Sequence, residues 1–401
     1  MISETVSGKI ILKPKRAQPF FNRHPWVFAG AIDRIEGEPA DGAVVDLESA
    51  TGSFVARGLF NGRSKIRVRL FSWDEAEALD RDFFRRKLVR ALALRHDVLK
   101  RDDGPDAAYR AVFSEADGLP GLIVDRFGDW LAMQVTSLAL HLREGMLAEL
   151  LAELTGCRGI YRKNERNVNK IEGFAPVDGL AWGEAPPSEI VIREGPLRFA
   201  VNLTEGQKTG FYLDQRENHA LVAGFAKGRR VLDAFCYAGG FGLACATAGA
   251  SEVECIDASE TAILAAIRNA ELNGLSGIAF EKSDVFERLE ALVQEARQFD
   301  LVVLDPPKFA RDRASLPQAL RGYRRLLKQA LQLLATDGIL VMCCCTGLIS
   351  LEMLEDVIAQ SAAAARREVQ FLERRGPSAD HPVSAFCREG DYLKCIVMRV
   401  G

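Results

Sequence analysis

The chain has 401 residues, of which 48% are hydrophobic, so it can bury a large core and is expected to form two or three domains. Its formal net charge of -3 excludes a globally basic coat for nucleic acid, so any RNA contact would have to come from local patches. The sequence contains no apolar run near the ~20 residues of a membrane helix, and Met1-Ile2-Ser3-Glu4 begins no secretory signal.

The cysteines and histidines indicate the cellular compartment. Nine cysteines without a C-x-x-C pair are typical of reduced thiols and predict no disulfide framework. The histidines are scattered and the clustered cysteines share one predicted strand, so tetrahedral metal ligation is not expected. We therefore expect a cytoplasmic enzyme without a metal and without a membrane partner. The sequence leaves the oligomeric state open, a homodimer included.

Residues 1 to 73 are predicted to form a compact β-rich domain. Lys9–Leu12 and Ile66–Leu70 alternate apolar and charged residues, and Gly-containing turns separate such segments. Cations that include Arg67 and Arg69 form a patch that suits RNA phosphates; the alternative is the solvated polar face of a small sheet. The candidate RNA-binding residues are Lys15, Arg16, Arg23, Arg63 and Lys65.

Residues 74 to 190 are predicted to form a small α+β domain. Apolar residues at helical spacing predict an amphipathic helix over Asp80 to Lys100. Further expected elements are strands at Leu122–Asp125 and Leu131–Val135, a helix from about Leu138 to Leu154, and a linker near Glu184–Ser188.

Residues 191 to 401 alternate strands and helices, which predicts an α/β, doubly wound, Rossmann-like sheet. Just before its first strand, Asp214, Gln215 and Arg216 form a polar cluster behind Phe211 and Tyr212. This segment could close over a cofactor or a substrate base, or it could only cap the sheet with core aromatics.

The run Arg230 to Gly242 leads an apolar strand through a Gly-rich turn into helix-forming residues. Glycines there let the backbone approach a ligand at the carboxyl end of a parallel strand. The G-x-G-x-x-G dinucleotide fingerprint is not met, because Tyr237 stands where its first Gly would be. We therefore favour S-adenosylmethionine, which has no pyrophosphate, as the cofactor.

Acidic residues follow three further strands. Asp257 ends a strand where it could accept hydrogen bonds from ribose hydroxyls, and Asp284 could hold the exocyclic amine of an adenine. Asp305-Pro306-Pro307 ends a continuous apolar strand; the prolines remove two N–H donors and leave acceptors that suit a nucleobase. A single glycine or strand-end acid more often stabilises a turn than contacts a ligand. The recurrence of such residues along alternating strands and helices favours a cofactor site.

A last strand, Gly338–Gly347, carries three consecutive cysteines. Buried cysteines usually act as small hydrophobes, which is the preferred interpretation of Cys343 and Cys344. Cys345 lies at the carboxyl edge with Asp257 and Asp305, where a thiolate could attack carbon 6 of a cytosine and make carbon 5 nucleophilic. Strand alternation predicts that Cys344 points to the opposite face. The alternative is that Cys345 is a structural thiol.

The chain resembles the ribosomal RNA large subunit methyltransferase I family along nearly its whole length. The motifs that carry this resemblance are His24-Pro25-Trp26-Val27-Phe28-Ala29-Gly30-Ala31, Glu115 to Leu122, Gly206 to Arg216, Tyr237 to Phe241, Asp305-Pro306-Pro307-Lys308-Phe309 and His381-Pro382.

The resemblance implies formation of 5-methylcytosine in large-subunit (23S) rRNA, with S-adenosylmethionine as cofactor and a PUA-type RNA-binding domain at residues 1–73. It aligns Cys345 with the nucleophile, and it implies that Lys208, Phe211 and Arg216 lie beside the cofactor. The segment Cys344-Cys345-Thr346 departs from the Ser-Cys-Ser-like pattern of the family, which leaves open which sulfur reacts. His381 is expected to be structural.

The predicted catalytic residues are therefore Cys345 and Asp305. The predicted cofactor-binding residues are Phe235, Tyr237, Gly239, Gly240, Asp257, Asp284, Asp305, Pro306, Lys208, Phe211 and Arg216. Two other functions stay open: methylation of a base nitrogen, in which Cys345 would be a spectator, and RNA binding without catalysis.

Overall fold

The structure, a computed structural model, describes residues 5–164, 171–175, 177–204, 210–310 and 312–401. The chain divides into two compact units. The first comprises Met1–Ile192, Val201–Leu213 and Ala379–Gly390, and the second Arg193–Ala200, Asp214–Ser378 and Asp391–Gly401. Among the helices that the described residues form, none is long and apolar enough to cross a membrane.

The first unit begins with six strands and a short helix. Their bounds are β1 Val6–Leu12, α1 Gln18–Phe21, β2 Trp26–Phe28, β3 Ile32–Gly37, β4 Val44–Glu48, β5 Phe54–Phe60 and β6 Ile66–Ser72. The strands form one sheet in the order β2-β6-β5-β4-β1-β3, in which β1 and β4 are parallel. Alternate residues such as Ile10, Leu12, Val45 and Leu47 face its core, as the apolar alternation of β1 predicts.

A second sheet of the first unit follows a long helix. The elements are α2 Arg81–Ala93, β7 Ala108–Phe113, β8 Leu122–Phe127, β9 Trp130–Val135, α3 Leu138–His141, α4 Glu144–Thr155, β10 Gly159–Arg162 and β11 Gly179–Gly183. The five strands are ordered β11-β10-β9-β8-β7. Asp80 caps α2 by accepting a hydrogen bond from Phe83 N (2.8 Å), so this helix begins where the sequence predicts.

One helix predicted in the first unit is interrupted in the structure. The expected helix from Leu138 to Leu154 is divided into α3 and α4. At the division, the buried Arg143 guanidinium donates both to Ala139 O (3.0 Å) and to Gly42 O (2.9 Å). These bonds are made at the start of α4, where Arg143 leaves helical dihedrals (φ −113°, ψ 8°). Apolar periodicity could not show this break, because it continues across both helices.

A hairpin of two strands precedes the elements of the large sheet along the chain. In the large sheet, strands and helices alternate in sequence. Their bounds are β12 Ile190–Glu194, β13 Leu197–Val201, α5 Arg216–Ala223, β14 Arg230–Ala234, α6 Gly240–Thr247, β15 Glu252–Asp257, α7 Glu260–Leu272, β16 Ile278–Lys282, α8 Val285–Gln294, β17 Phe299–Leu304, α9 Leu316–Leu333, β18 Leu334–Cys344, α10 Leu351–Ala365, β19 Val369–Arg375 and β20 Lys394–Val400.

The large sheet has seven strands in the order β16-β15-β14-β17-β18-β20-β19. Strands β14 to β18 are parallel, and β20 is antiparallel to both β18 and β19. Leu301 and Val303 pack into one apolar core while Val302 and Leu304 pack into another, so helices cover both faces. The predicted doubly wound sheet is confirmed. Strand order reverses between β14 and β17, where such sheets hold ligands at the carboxyl ends.

Candidate active site

The Gly-rich loop lies between β14 and α6, at this point of reversal. Phe235 (φ 66°), Tyr237 (φ 48°) and Gly239 (φ 86°) all have left-handed backbone dihedrals. Phe235 N donates to Ile256 O (2.9 Å), and the buried Asn269 amide donates to Ala238 O (3.0 Å). Strained non-glycine residues that neighbours hold in place are typical of ligand-binding loops.

Asp257, the last residue of β15, forms hydrogen bonds both to this loop and to Ser259, the residue before α7. Its Oδ2 accepts from Tyr237 N (3.0 Å) and its Oδ1 accepts from Ser259 N (2.8 Å). A carboxylate has about four acceptor positions, so Asp257 can hold the loop and still accept from two hydroxyls of a ligand. Asp284, at the end of the neighbouring strand, caps α8 by accepting from Glu287 N (3.1 Å), and its side chain is exposed.

Gly240, the first residue of α6, is required by packing. A Cβ at this position would lie 2.4 Å from Cε1 of His219, which is buried beneath the loop. The Nδ1 of His219 pairs with Glu194 Oε1 at 2.6 Å. Burial alone would lower the pKa of His219, but Glu194 raises it above its ordinary value. This pair is a feature that the sequence reasoning missed.

Asp233 is a second buried ionisable group under the loop. It lies within β14, is fully buried, and accepts a hydrogen bond from Gly242 N at 2.7 Å. Desolvation is the main reason that its pKa rises to about 7. The signal was present in the sequence, because an acid in the middle of the apolar strand Arg230–Ala234 must either find a partner or become neutral.

Asp305 ends β17 and is oriented by a chain of buried amides. Gln215 Nε2 donates to Asp305 Oδ2 (3.0 Å), and Asn218 Nδ2 donates to Gln215 Oε1 (2.6 Å). Asn218 also donates to Gly376 O (3.2 Å). These contacts restrict the rotation of the Asp305 carboxylate, so its direction is set before a ligand arrives.

The two neighbouring cysteines at the end of β18 differ in environment. Cys344 is fully buried in an apolar core, where Tyr323 donates its hydroxyl to Sγ at 3.3 Å, as strand alternation predicts. Cys345 is partly exposed, and its Sγ lies 3.9 Å from Pro306 O. Among the nine cysteines, all within the described residues, Cys345 alone is not buried. A thiol and the Asp305-Pro306 tip therefore share one sheet edge.

Other predicted residues have varied positions. Arg216 begins α5 and is half-buried in the second unit, whereas Phe211 is buried in the first unit. Lys208 lies outside the described residues. His381 is buried in the first unit, with Nδ1 2.8 Å from Asp380 Oδ1 and its ring edge against Phe113, as expected of a structural histidine.

The predicted RNA-binding cations are exposed, although one member of the wider patch is not. Lys15, Arg16, Arg23 and Lys65 are exposed, and Arg63 Nε is 3.2 Å from Asp41 Oδ2 while its side chain stays 67% exposed. Arg69 does not belong to the surface. It is buried and makes hydrogen bonds of 3.0 and 3.2 Å to Glu172. Alternation along β6 gave no warning of a partner so distant in sequence.

The chain is similar to known proteins over nearly its whole length. A profile described as S-adenosylmethionine-dependent methyltransferase matches residues 145–387, and one described as PUA-like domain matches residues 10–73. The ribosomal RNA large subunit methyltransferase I of Shewanella denitrificans is 42% identical, covering 98% of this chain and 99% of the relative. That of Tolumonas auensis is 41% identical, with 98% and 100% covered. This chain belongs to the ribosomal RNA large subunit methyltransferase I family.

Solved structures of lower identity support the fold. A methyltransferase complexed with SAH has a TM-score of 0.84 at 20% identity, and a methyltransferase from Streptococcus mutans has a TM-score of 0.83 at 19% identity; each comparison covers both chains completely. The family membership makes S-adenosylmethionine the cofactor of this chain. The strained loop, the Asp257 carboxylate and the open end of the sheet fit a nucleoside-bearing methyl donor, which brings an activated methyl group on a sulfonium.

Proposed function

We propose that this chain methylates carbon 5 of a cytosine in large-subunit (23S) rRNA through a covalent intermediate on Cys345. The supporting observation is the position of the Cys345 thiol, 3.9 Å from Pro306 O and partly exposed beside Asp305. The large-subunit rRNA methyltransferases that this chain resembles over 98% of its length indicate the substrate class. Action on rRNA would place the chain in the cytoplasm.

Each residue has a distinct part in the proposed reaction. Asp305, held by Gln215, accepts a hydrogen bond from the exocyclic amine of the cytosine. The Cys345 thiolate adds to carbon 6, and the electron pair that this addition releases makes carbon 5 nucleophilic enough to take the methyl group. A base then removes the carbon 5 proton, and the returning electrons expel the thiolate. Because the ring faces must be accessible, the target is single-stranded or flipped, at a cost of a few kcal/mol.

The remaining sequence predictions have their places in this proposal. Phe235, Tyr237, Gly239, Gly240, Asp257, Asp284 and Pro306 would surround the methyl donor, joined by Lys208, Phe211 and Arg216. Residues 1–73 would dock RNA, residues 74–190 would form a middle domain, and residues 191–401 would carry the reaction. Methylation of a base nitrogen would need the Asp305-Pro306-Pro307 tip but not the thiol.

The test uses large-subunit rRNA transcribed with 5-fluorocytidine in place of cytidine. Fluorine at carbon 5 cannot leave as a proton does, so the parent chain should transfer the methyl group and then remain attached to RNA on a denaturing gel. Cys345→Ala should lose the adduct and reduce methyl transfer to ordinary rRNA by about three orders of magnitude or more. Its affinity for S-adenosylmethionine should not change.

Cys344→Ala is the matched control, since it removes the adjacent thiol from the core next to Tyr323. This variant should lose some stability and keep both adduct and methyl transfer. Methyl transfer by Cys345→Ala at the parent rate would reject the covalent mechanism and favour methylation of a nitrogen. An adduct that disappears only in Cys344→Ala would assign the reaction to the other sulfur.

A further inference from the structure

A pocket of the first unit brings together three sequence motifs that the methyl-transfer site does not use. Trp26 comes from the motif that begins at His24, Glu115 from the motif that ends at Leu122, and Pro382 from the pair His381-Pro382. The cavity has a volume of about 270 Å³, near the lower end of the range of small-molecule sites. Apolar side chains of Ile66, Phe113 and Ile123 complete much of its lining.

The walls of this pocket are fixed by a buried arginine. The Arg95 side chain is fully buried and donates to Asp117 Oδ1 (2.7 Å), to Arg110 O (2.8 Å) and to Asp380 O (2.8 Å). Asp117 in turn accepts from Phe113 N at 2.6 Å. The strand, the turn after it and the segment that carries Pro382 are thus held by one guanidinium, so the cavity does not depend on a ligand to form.

The pocket offers an aromatic surface next to a carboxylate. Trp26 is half-buried, and its Nε1 donates to Glu115 Oε1 at 2.9 Å, which fixes both groups at the cavity wall. The rings of His24 and Phe28 lie nearly perpendicular to that of Trp26, with centroids 5.9 and 6.4 Å from it. Arg69, also in the lining and buried, has both terminal nitrogens on Glu172, and no described residue pairs with its Nε.

The acidic side chains of Glu115 and Glu389 beside the pocket disfavour a phosphate as its occupant. Cys387 lines the cavity, and burial together with the negative charges of Glu115 and Glu389 holds its pKa well above the ordinary range. His24, Cys387 and Glu389 have ligand atoms within 4.8 Å of one another, but Trp26 N donates to His24 Nδ1 (3.3 Å). His24 Nε2 lies 3.4 Å from Glu389 Oε1, so both ring nitrogens of His24 already have a protein partner.

We propose that this pocket binds an unpaired, amine-bearing nucleobase of the RNA, stacked on Trp26 with its exocyclic amine donating to Glu115. A planar heterocycle matches the aromatic wall, and an amine matches a carboxylate that phosphate would not approach. Exposed Arg23 lies three residues before Trp26 and exposed Lys65 directly before Ile66, so two cations close in sequence to the pocket lining are available to the RNA backbone. This inference rests on the proposed action on RNA.

The test measures binding of the full chain to labelled single-stranded oligo(A), oligo(C) and oligo(U) by fluorescence anisotropy, without the methyl donor. Trp26→Ala should weaken all three by about ten-fold, the usual loss for one stacked base. Glu115→Gln keeps an acceptor for the indole N–H and should weaken oligo(A) and oligo(C) while sparing oligo(U), whose bases carry no exocyclic amine. Phe21→Ala, which removes an aromatic 49% exposed and outside the lining, should stay within two-fold of the parent.

Ultraviolet cross-linking of the parent to oligo(C), followed by peptide mass spectrometry, provides a test that needs no variant. Cross-links in the peptide that contains Trp26 or Phe113 are expected. Parent-like binding by both pocket variants, or cross-links confined to other peptides, would overturn the inference. A parent that binds oligo(C) through Trp26 but never methylates rRNA would refute the proposed function alone. A parent that methylates rRNA while both pocket variants bind normally would refute the pocket alone.

Discussion

The proposed methyl-transfer site of the second unit and the proposed nucleobase pocket of the first unit are built in different ways. In the large sheet, each proposed site residue stands at the carboxyl end of a parallel strand, so the sheet itself brings Asp257, Asp305 and Cys345 to one side. In the pocket, Trp26 and Glu115 are 89 residues apart in sequence, and a buried guanidinium rather than a sheet edge holds the walls. Sites of the first kind are visible in sequence, and sites of the second kind require the folded chain.

The largest expected effect tests the buried acid beneath the cofactor loop. Because the pKa of Asp233 is about 7 when folded and about 4 when unfolded, the folded state holds its proton longer, and the free energy of unfolding should fall as pH rises between these values. A shift of this size corresponds to up to about 4 kcal/mol. Asp233→Asn still accepts from Gly242 N and should flatten this decline, measured by denaturant unfolding from pH 4 to pH 8.

Asp300→Asn is the control of opposite sign for Asp233. A hydrogen bond from Arg230 lowers the pKa of Asp300, so its stabilising contribution is present above its unfolded pKa and is lost only as pH falls below about 4. The Asp300 variant should keep the decline between pH 4 and pH 7. An equal decline in the parent and in Asp233→Asn would mean that Asp233 does not hold its proton in the folded chain.

The next effect concerns the methyl donor. Asp257→Ala removes the acceptor proposed for two ribose hydroxyls and also releases Tyr237 N, so affinity for S-adenosylmethionine should fall by about 100-fold or more, as expected for two hydrogen bonds to a charged group. Titration calorimetry gives the dissociation constant directly. Glu260→Ala, an exposed acid of α7 that pairs with Lys282, should leave the affinity unchanged. Parent affinity in a folded Asp257→Ala would remove Asp257 from the cofactor site.

The smallest expected effect lies on the surface of the first unit. Charge reversal of Lys15 and Arg16 should reduce the log–log salt dependence of RNA binding by about one unit for each phosphate that the chain no longer neutralises. The same reversal at Lys65 should act alike, whereas Arg63 already shares its charge with Asp41 and should contribute less. Binding measured between low and high salt decides this. Unchanged slopes in every variant would show that these cations form only a solvated face.

The sequence predicted the sheet and its edge well, for physical reasons. Parallel strands buried on both faces are continuous apolar runs, and their carboxyl ends must meet, so the positions of Asp257, Asp305 and Cys345 followed from local pattern. Gln215 was noted as part of a polar cluster, but its contact with Asp305 was not predicted. Asn218 and His219 were missed because they reach the site from α5, which precedes the sheet. Their contacts depend on the packing of that helix, which local spacing does not encode.

Two errors in the first unit have a similar origin. Arg69 was interpreted as one cation of an exposed alternating strand. It is buried instead, where it pairs with Glu172, 103 residues away in sequence. The division between α3 and α4 likewise follows from the bonds that Arg143 makes, one of them to Gly42 O, 101 residues away. Long-range polar partners are the information that alternation and helical periodicity lack.

The twelve residues Ala379–Gly390 belong to the first unit although the chain on both sides of them belongs to the second. They provide Asp380 O to the buried Arg95 guanidinium and place Pro382 and Cys387 at the pocket. During translation, the Arg95 guanidinium therefore lacks its hydrogen bond to Asp380 O until one of the last segments has been synthesised. We expect the nascent chain to complete its amino-terminal unit late, only after nearly all of the methyl-transfer unit has left the ribosome.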